Sequence, residues 1–195
     1  SILFITVDTG ITAVKEVAYL KSLGHSIIVT DHHQKPQEVL QADVILWSDK
    51  IVGSTIAFVL SRVLGSKDSD NIAYAALATV TDLHPLFGLN RELVIEGLKI
   101  LNSNPPKGLK KLLELSGTKK DSRVTVYDLG WVIGPRLNAS GRVLDASQSL
   151  KLLIEEEDAV LDKIVSEITA VNTSRQDKTL EMYDLADIVS ETELP

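Results

Sequence analysis

Residues 1–36 read SILFITVDTGITAVKEVAYLKSLGHSIIVTDHHQKP, and this stretch decides how the chain begins to fold. Residues 2–7 are apolar and β-prone, which is typical of a parallel strand buried on both faces. Residues 11–23 carry apolar side chains at helical spacing, and Gly24 follows where helices commonly end. Residues 25–30 form a second β-prone run. We therefore predict a right-handed βαβ unit with parallel strands.

The rest of the chain extends this pattern mainly with helices. A third, short strand is predicted at residues 42–47, and helices are predicted at residues 54–64, 71–79, 91–101, 107–116 and 146–153. Residues 128–138 fit either a helix or a loop. From residue 159 an amphipathic pattern favours a long helix that leaves the body of the protein.

These elements predict an α/β fold, in which a parallel sheet with flanking helices is followed by a helical second half and a long C-terminal connecting helix. We expect a domain at residues 1–158 and a connecting helix at residues 159–195. Leu161, Ile164, Ile168 and Val171 should be partly packed, and the helix beyond Arg175 should be poorly buried.

Charge is distributed unevenly along the chain. The net charge of −7 argues at first against a nucleic-acid partner. Residues 155–195, however, contain 12 acidic and 3 basic side chains, whereas residues 1–154 contain 15 acidic and 17 basic ones. The acidity therefore belongs to the C-terminal segment, and the composition allows a phosphate-binding site in the rest of the chain.

The composition also excludes several classes of protein. The chain has no cysteine, which rules out disulfides, zinc–thiolate sites and a cysteine nucleophile. No stretch is long and apolar enough for a transmembrane helix. The apolar N-terminus lacks the basic segment of a signal peptide, so a strand is the better interpretation. We expect a cytoplasmic protein with no membrane partner.

Two groups of polar residues follow the first two strands. Asp8 comes directly after one strand, and Asp31, His32 and His33 come directly after the next. Ligands of parallel α/β sheets bind at this edge, and mixed oxygen and nitrogen donors suit Mn²⁺, Mg²⁺ or Zn²⁺ better than Ca²⁺. Alternatively, Asp8 caps the following helix and the Asp-His-His triplet lies in a solvated loop.

Three further segments carry polar groups of possible function. Asp82 follows a helix of small residues and is either a third ligand or a turn residue, and His84 alone fits a surface or supporting histidine better. Residues 134–142 read GPRLNASGR, in which glycines flank two arginines able to recognise phosphate. Residues 53–55 are a weaker phosphate candidate, for which simple helix capping is the preferred interpretation.

Taken together, these motifs resemble the DHH phosphoesterase superfamily and, within it, the RecJ-type nucleases. Residues 7–10, VDTG, look like its second motif, residues 31–33, DHH, like its third, and Thr81-Asp82 like its fourth. GPRLNASGR is similar to the motif of the RecJ-type members. Residues 171–176 resemble the helix that leads to the family's C-terminal domain.

The resemblance implies a metal-dependent phosphodiesterase, acting as a 5′-to-3′ exonuclease on single-stranded DNA. Asp8, His32 and Asp82 would ligate two Mn²⁺ or Mg²⁺ ions, with Asp8 bridging them. His33 would contact the scissile phosphate, and Asp31 would orient the histidines. The substrate's phosphates would be contacted by Arg136, Asn138, Ser140 and Arg142.

The chain also departs from the family pattern. The family's first motif, an Asp-x-Asp strand before Asp8, and its substrate-holding C-terminal domain are not in the sequence. We expect an excised domain with an under-coordinated metal and weak substrate affinity. The alternatives are a pyrophosphatase, an oligoribonuclease or a cyclic-dinucleotide phosphodiesterase of the same superfamily, or an inactive binding domain.

Overall fold

The computed structural model describes residues 1–116, 123–143 and 147–193, with only the backbone described for residues 140–143 and 186–193. It divides into two compact units, residues 1–104 and 105–195. The predicted α/β class is confirmed, with the parallel sheet in the first unit and helices in the second. The separate role predicted for residues 159–195, as a connection towards a further domain, stays a prediction.

The sheet of the first unit brings its strand ends to a single edge. Its described strands are parallel in the order β1–β2–β3, with β1 at Leu3–Val7, β2 at Ser26–Asp31 and β3 at Val44–Trp47. Val7 is paired with Thr30, and Asp31 with Trp47. Since parallel strands end on the same side, the polar residues that follow β1 and end β2 emerge together.

Only one face of β1 is packed. The core beneath the sheet consists of Ile11, Val17, Ile27, Val29 and Leu40. Phe4 packs against this core, whereas Leu3, Ile5 and Val7 on the opposite face are exposed. The prediction that β1 is buried on both faces is therefore wrong, because β1 is an edge of the described sheet and pairs only with β2.

The helices of the first unit are α1 (Val14–Ser22), α2 (Gly53–Val63), α3 (Asp70–Thr81) and α4 (Gly88–Ser103). The end of α1 is formed as predicted. Gly24 has φ +78°, and the amides of Gly24 and His25 donate to the carbonyls of Lys21 and Leu20. This double hydrogen bond is the glycine-dependent Schellman closure of a helix.

The second unit contains α5 (Lys107–Leu115), a π-helix (Asp128–Ile133), α6 (Gly134–Val143), α7 (Ser147–Ile154) and α8 (Asp158–Glu193). The segment that the sequence left open, residues 128–138, is thus helical throughout. GPRLNASGR lies within α6, which continues the π-helix without a break, so Pro135 lies inside a continuous helical segment. None of the described helices combines the length and the apolar character needed to cross a lipid bilayer.

Helix α8 is packed more deeply than predicted. Leu161, Ile164 and Ile168 are fully buried rather than partly packed, because α8 lies against α5, α6 and α7. Lys111 on α5 also pairs with Asp158 and Asp162 at 3.3 and 2.6 Å. Residues 176–185 are exposed, which confirms the prediction for this part of the segment beyond Arg175, and the side chains of residues 186–195 lie outside the described part of the chain. The first half of α8 is therefore part of the core of this unit.

Candidate metal centre

Asp8 turns the chain sharply at the end of β1. Its backbone is left-handed, with φ +60°, and its amide donates to the carbonyl of Thr30 at 3.0 Å. This conformation is uncommon outside glycine but is tolerated by aspartate better than by most residues. Helix α1 has Ala13 as its N-cap, so the alternative that Asp8 caps this helix is wrong. The side chain of Asp8 is instead half exposed at the strand-end edge.

Asp31 is a buried carboxylate that organises the triplet. Only 1% of Asp31 is exposed, and it accepts hydrogen bonds from the amides of Ile11, His32 and His33 at 2.8, 2.7 and 3.1 Å. It also pairs with Nδ1 of His33 at 2.7 Å. Burial raises the pKa of Asp31, but these hydrogen bonds outweigh it and hold the pKa below its usual value. The carboxylate of Asp31 is therefore ionised, and it fixes the backbone of Ile11, His32 and His33 by hydrogen bonds.

His32 lies between two carboxylates. Its Nε2 is 3.0 Å from Oδ1 of Asp8, and its Nδ1 is 3.8 Å from Oδ2 of Asp82. The imidazole is only 11% exposed, whereas both carboxylates are about half exposed. The structure therefore brings together the three residues predicted as metal ligands, with one imidazole shared between both acids.

His84 joins the same group through the end of α3. Its Nε2 is 3.2 Å from Oδ2 of Asp82 and 3.3 Å from Nδ1 of His32. The amides of Leu83 and His84 donate to the carbonyls of Val80 and Thr79, which closes α3 as a Schellman turn. Leu83 occupies the left-handed position, with φ +57°, where glycine is usual. This turn directs His84 back towards Asp82.

The ligand atoms form two overlapping groups. Asp8, His32 and His33 form one group, and His32, Asp82 and His84 form the other, with the ligand atoms of each within 4.8 Å of one another. Carboxylate oxygens and imidazole nitrogens are donors that Mn²⁺ accepts readily. The residues present therefore fit divalent cations. His84 is the member that the sequence did not select, since a lone histidine after a turn carries no distinctive pattern.

The beginning of α2 closes over Asp8. A Cβ atom added to Gly53 would overlap the carboxyl group of Asp8, because it would lie only 2.7 Å from Cγ of Asp8. The N-cap of α2 is Val52, and no side chain caps this helix, so the interpretation of residues 53–55 as simple capping is wrong. The partial positive charge of a helix N-terminus instead lies beside a carboxylate, which it stabilises.

Replacing Gly53 by Ala should displace the Asp8 side chain, because backbone and carboxyl group leave no room for a methyl group. We expect about a 10- to 100-fold loss of Mn²⁺ affinity, the range for residues that orient a metal ligand. Isothermal titration calorimetry measures it. Ser54→Ala, at the next position, is the control and should bind Mn²⁺ normally. Equal affinity in both variants would contradict the close approach.

His33 is held from two sides while its ring remains 59% exposed. Its Nδ1 pairs with Asp31, and its carbonyl accepts a hydrogen bond from Nε1 of Trp47 at 2.7 Å. The hydrogen bond with Asp31 raises the pKa of His33, despite the opposing effect of burial. Nε2 of His33 is thereby left as the ring atom available to a bound molecule.

The predicted phosphate-binding residues lie in the second unit. Nη1 of Arg136 donates to the carbonyl of Val132 at 2.8 Å, and its buried Nε has no acceptor among the described residues. Burial lowers the pKa of Arg136. Asn138 is exposed. The side chains of Ser140 and Arg142 lie outside the described part of the chain, so the role of this set stays a prediction.

The sequence is similar to a domain of the DHH family and to RecJ exonucleases of several bacteria. The DHH family, N-terminal domain, matches residues 2–87. The single-stranded-DNA-specific exonuclease RecJ of Bacillus subtilis is 34% identical over 194 residues, which cover 94% of this chain and 25% of that protein. RecJ of Thermus thermophilus is 34% identical over 185 residues, covering 89% of this chain and 27% of that protein. The chain thus spans about a quarter of these relatives.

The fold is also similar to solved structures. RecJ from Thermus thermophilus in complex with Mn²⁺ superposes with a TM-score of 0.82 at 31% identity, covering 96% of this chain and 30% of that one. An exonuclease RecJ bound to manganese superposes with a TM-score of 0.80 at 30% identity, covering 97% of this chain and 50% of that one. Residues 2–87 are therefore similar to the N-terminal domain of the DHH family, and most of the chain is similar to RecJ exonucleases in sequence and in fold.

Proposed function

We propose that this chain belongs to the catalytic part of a metal-dependent phosphodiesterase that degrades single-stranded DNA from the 5′ end. The observation that carries the proposal is the position of His32, whose two ring nitrogens face Asp8 and Asp82 at 3.0 and 3.8 Å. The relatives named as single-stranded-DNA-specific exonucleases support the substrate.

The proposed metal ligands are Asp8, His32 and Asp82, and His84 is added because its Nε2 lies beside Asp82. Mn²⁺ or Mg²⁺ is the proposed cofactor, since solved RecJ structures contain one or the other. Two such ions would polarise the phosphoryl oxygens and supply a hydroxide nucleophile. The half-exposed carboxylate of Asp8 caps neither α1 nor α2 and would hold these ions together with His32.

His33 is proposed to bind the scissile phosphate. Asp31 holds Nδ1 of this imidazole, so Nε2 is presented outward from a fixed ring. Because the pKa of His33 is raised, its charged form is favoured and donates from Nε2 to a phosphate oxygen. Asp31 is proposed to orient the loop rather than to touch substrate, since it is almost fully buried.

Arg136, Asn138, Ser140 and Arg142 are proposed to contact further phosphates of the strand. The support is the composition of the motif and the similarity to RecJ that runs through this part of the chain.

We also infer a cytoplasmic location, where a chain without cysteine and a DNA substrate are both expected.

The decisive experiment measures hydrolysis by the full-length protein of oligonucleotides labelled at either end, with and without Mn²⁺. We expect release of nucleotides from a single strand, and blocking of its 5′ end should stop the reaction.

Calorimetry with Mn²⁺ provides a readout that does not depend on turnover. His32→Ala should lower the affinity for Mn²⁺ more than any other single change. Lys99→Ala is the control, because Lys99 belongs to neither group of candidate metal ligands and its ammonium group pairs with Glu96. Hydrolysis of pyrophosphate or cyclic dinucleotides instead of DNA would favour the alternative substrates.

A further inference from the structure

Two exposed aromatic side chains lie side by side in the second unit, one just before the π-helix and one within it. Tyr127 is 67% exposed and Trp131 is 71% exposed. Their ring centroids are 6.4 Å apart and their planes differ by 28°, so the rings are stacked rather than splayed. Large aromatic rings dominate burial energies in proteins, and an adjacent pair left in water is a candidate contact surface.

The backbone beneath the pair is firmly held. Leu129 and Ile133, on the inward side of the same helix, are completely buried. Asp128 accepts hydrogen bonds from the amide and the hydroxyl of Thr125 at 2.7 and 2.8 Å, which secures the beginning of the helix. π-helical turns are rare and frequently occur at functional sites. The two rings are therefore presented by a rigid element and not by a loose loop.

The segment that carries the pair is mostly polar and weakly basic. Residues 123–138 contain two arginines and one aspartate, a net charge of +1 in a chain whose overall charge is −7. Arg123 is exposed just before the pair, and Asn138 is exposed seven residues after Trp131, about two helical turns along. Val126 is the only aliphatic residue exposed among the described residues 123–138. This setting suits a polyanion that carries flat apolar groups.

We propose that Tyr127 and Trp131 form a stacking surface for the bases of a single-stranded nucleic acid. The inference rests on the proposed function and adds residues that contact bases, whereas the predicted set in α6 contacts phosphates. Aromatic side chains bind bases of any sequence, because every base offers a flat face, and a basic surrounding holds the backbone. Two stacked rings among polar residues are also too small a patch for a stable protein partner.

The test compares a normal oligonucleotide with an abasic one of the same length and charge. Fluorescence anisotropy, recorded in the presence of a chelator to prevent hydrolysis, measures affinity. The protein should bind the normal strand more tightly than the abasic one. Trp131→Ala should lower the affinity for the normal strand by about 5- to 100-fold, which is the range for the loss of one base–aromatic stack. The affinity for the abasic strand should not change. The salt dependence should stay the same, since no phosphate contact is lost.

Further variants make the outcome unambiguous. Trp131→Phe keeps a ring and should retain most of the preference for the normal strand, and Tyr127→Ala should lose part of it. Tyr19→Ala removes an equally exposed aromatic residue from the first unit and should change nothing. Circular dichroism establishes that each variant is folded. If the alanine variants hydrolyse and bind normal strands as the parent does, the stacking surface is overturned while the proposed function stands. If the parent binds no single strand, both are overturned.

Discussion

In the full-length protein, replacing Asp8 by Ala is expected to lower the turnover of single-stranded DNA by several orders of magnitude while the protein still binds the strand. The carboxylate that faces His32 at 3.0 Å would be lost, and with it a proposed ligand of the metal ions. Phosphate contacts are proposed to come from other residues, so affinity for DNA should change little. Single-turnover kinetics and anisotropy, measured on the same samples, separate the two effects.

Asp49→Ala provides the matched control for this change. Asp49 is another half-exposed acid just beyond a strand of the sheet, and its side chain pairs with the exposed Lys50. Its replacement should leave turnover within a factor of about two, because Asp49 belongs to neither group of candidate metal ligands. If Asp8→Ala and Asp49→Ala retain the same activity, Asp8 does not take part in the reaction.

Replacing Asp31 by Ala is expected to damage folding as well as activity. Three backbone amides, of Ile11, His32 and His33, would lose their acceptor in a place where Asp31 is only 1% exposed. A buried donor without an acceptor costs about 1–3 kcal/mol, so the loss in unfolding free energy should be about 3 kcal/mol or more. Urea denaturation measures it.

His33→Ala separates the structural effect from the catalytic one. This change keeps the three amide hydrogen bonds to Asp31 and removes a ring that is 59% exposed. Stability should therefore fall by less than about 1 kcal/mol, whereas activity should fall strongly. A loss of stability as large as that of Asp31→Ala would show that the amides are not what Asp31 stabilises.

The stability difference between the parent and Asp31→Ala should depend on pH. The pKa of Asp31 is lowered in the folded protein, so the charged carboxylate stabilises the fold above its unfolded pKa of about 3.9. This contribution should be complete at neutral pH and should disappear as the pH falls through the lower, folded pKa. Denaturation at pH 7 and pH 3 provides the comparison, and an unchanged difference would contradict an ionised Asp31.

Local sequence patterns were sufficient for the elements and for most of the metal centre. The apolar runs around residues 2–7 and 25–30, with a helix between them, required parallel strands, and the acids that follow them had to meet at a single edge. Gly24 ended α1 as expected, because only glycine adopts a left-handed backbone without cost. For these reasons the sequence alone is enough to place Asp8 beside the Asp-His-His triplet.

The remaining features depend on contacts between residues distant in sequence. His84 reaches Asp82 through a left-handed turn at Leu83, a position where sequence rules expect glycine. Gly53 looked like a helix cap, and only packing shows that it makes room for the carboxylate of Asp8. The apolar stripe of α8 predicted a helix, but its burial against α5, α6 and α7 could not be predicted from its own residues. Hydrophobic spacing determines which side of an element is apolar, whereas the tertiary structure alone determines what covers it.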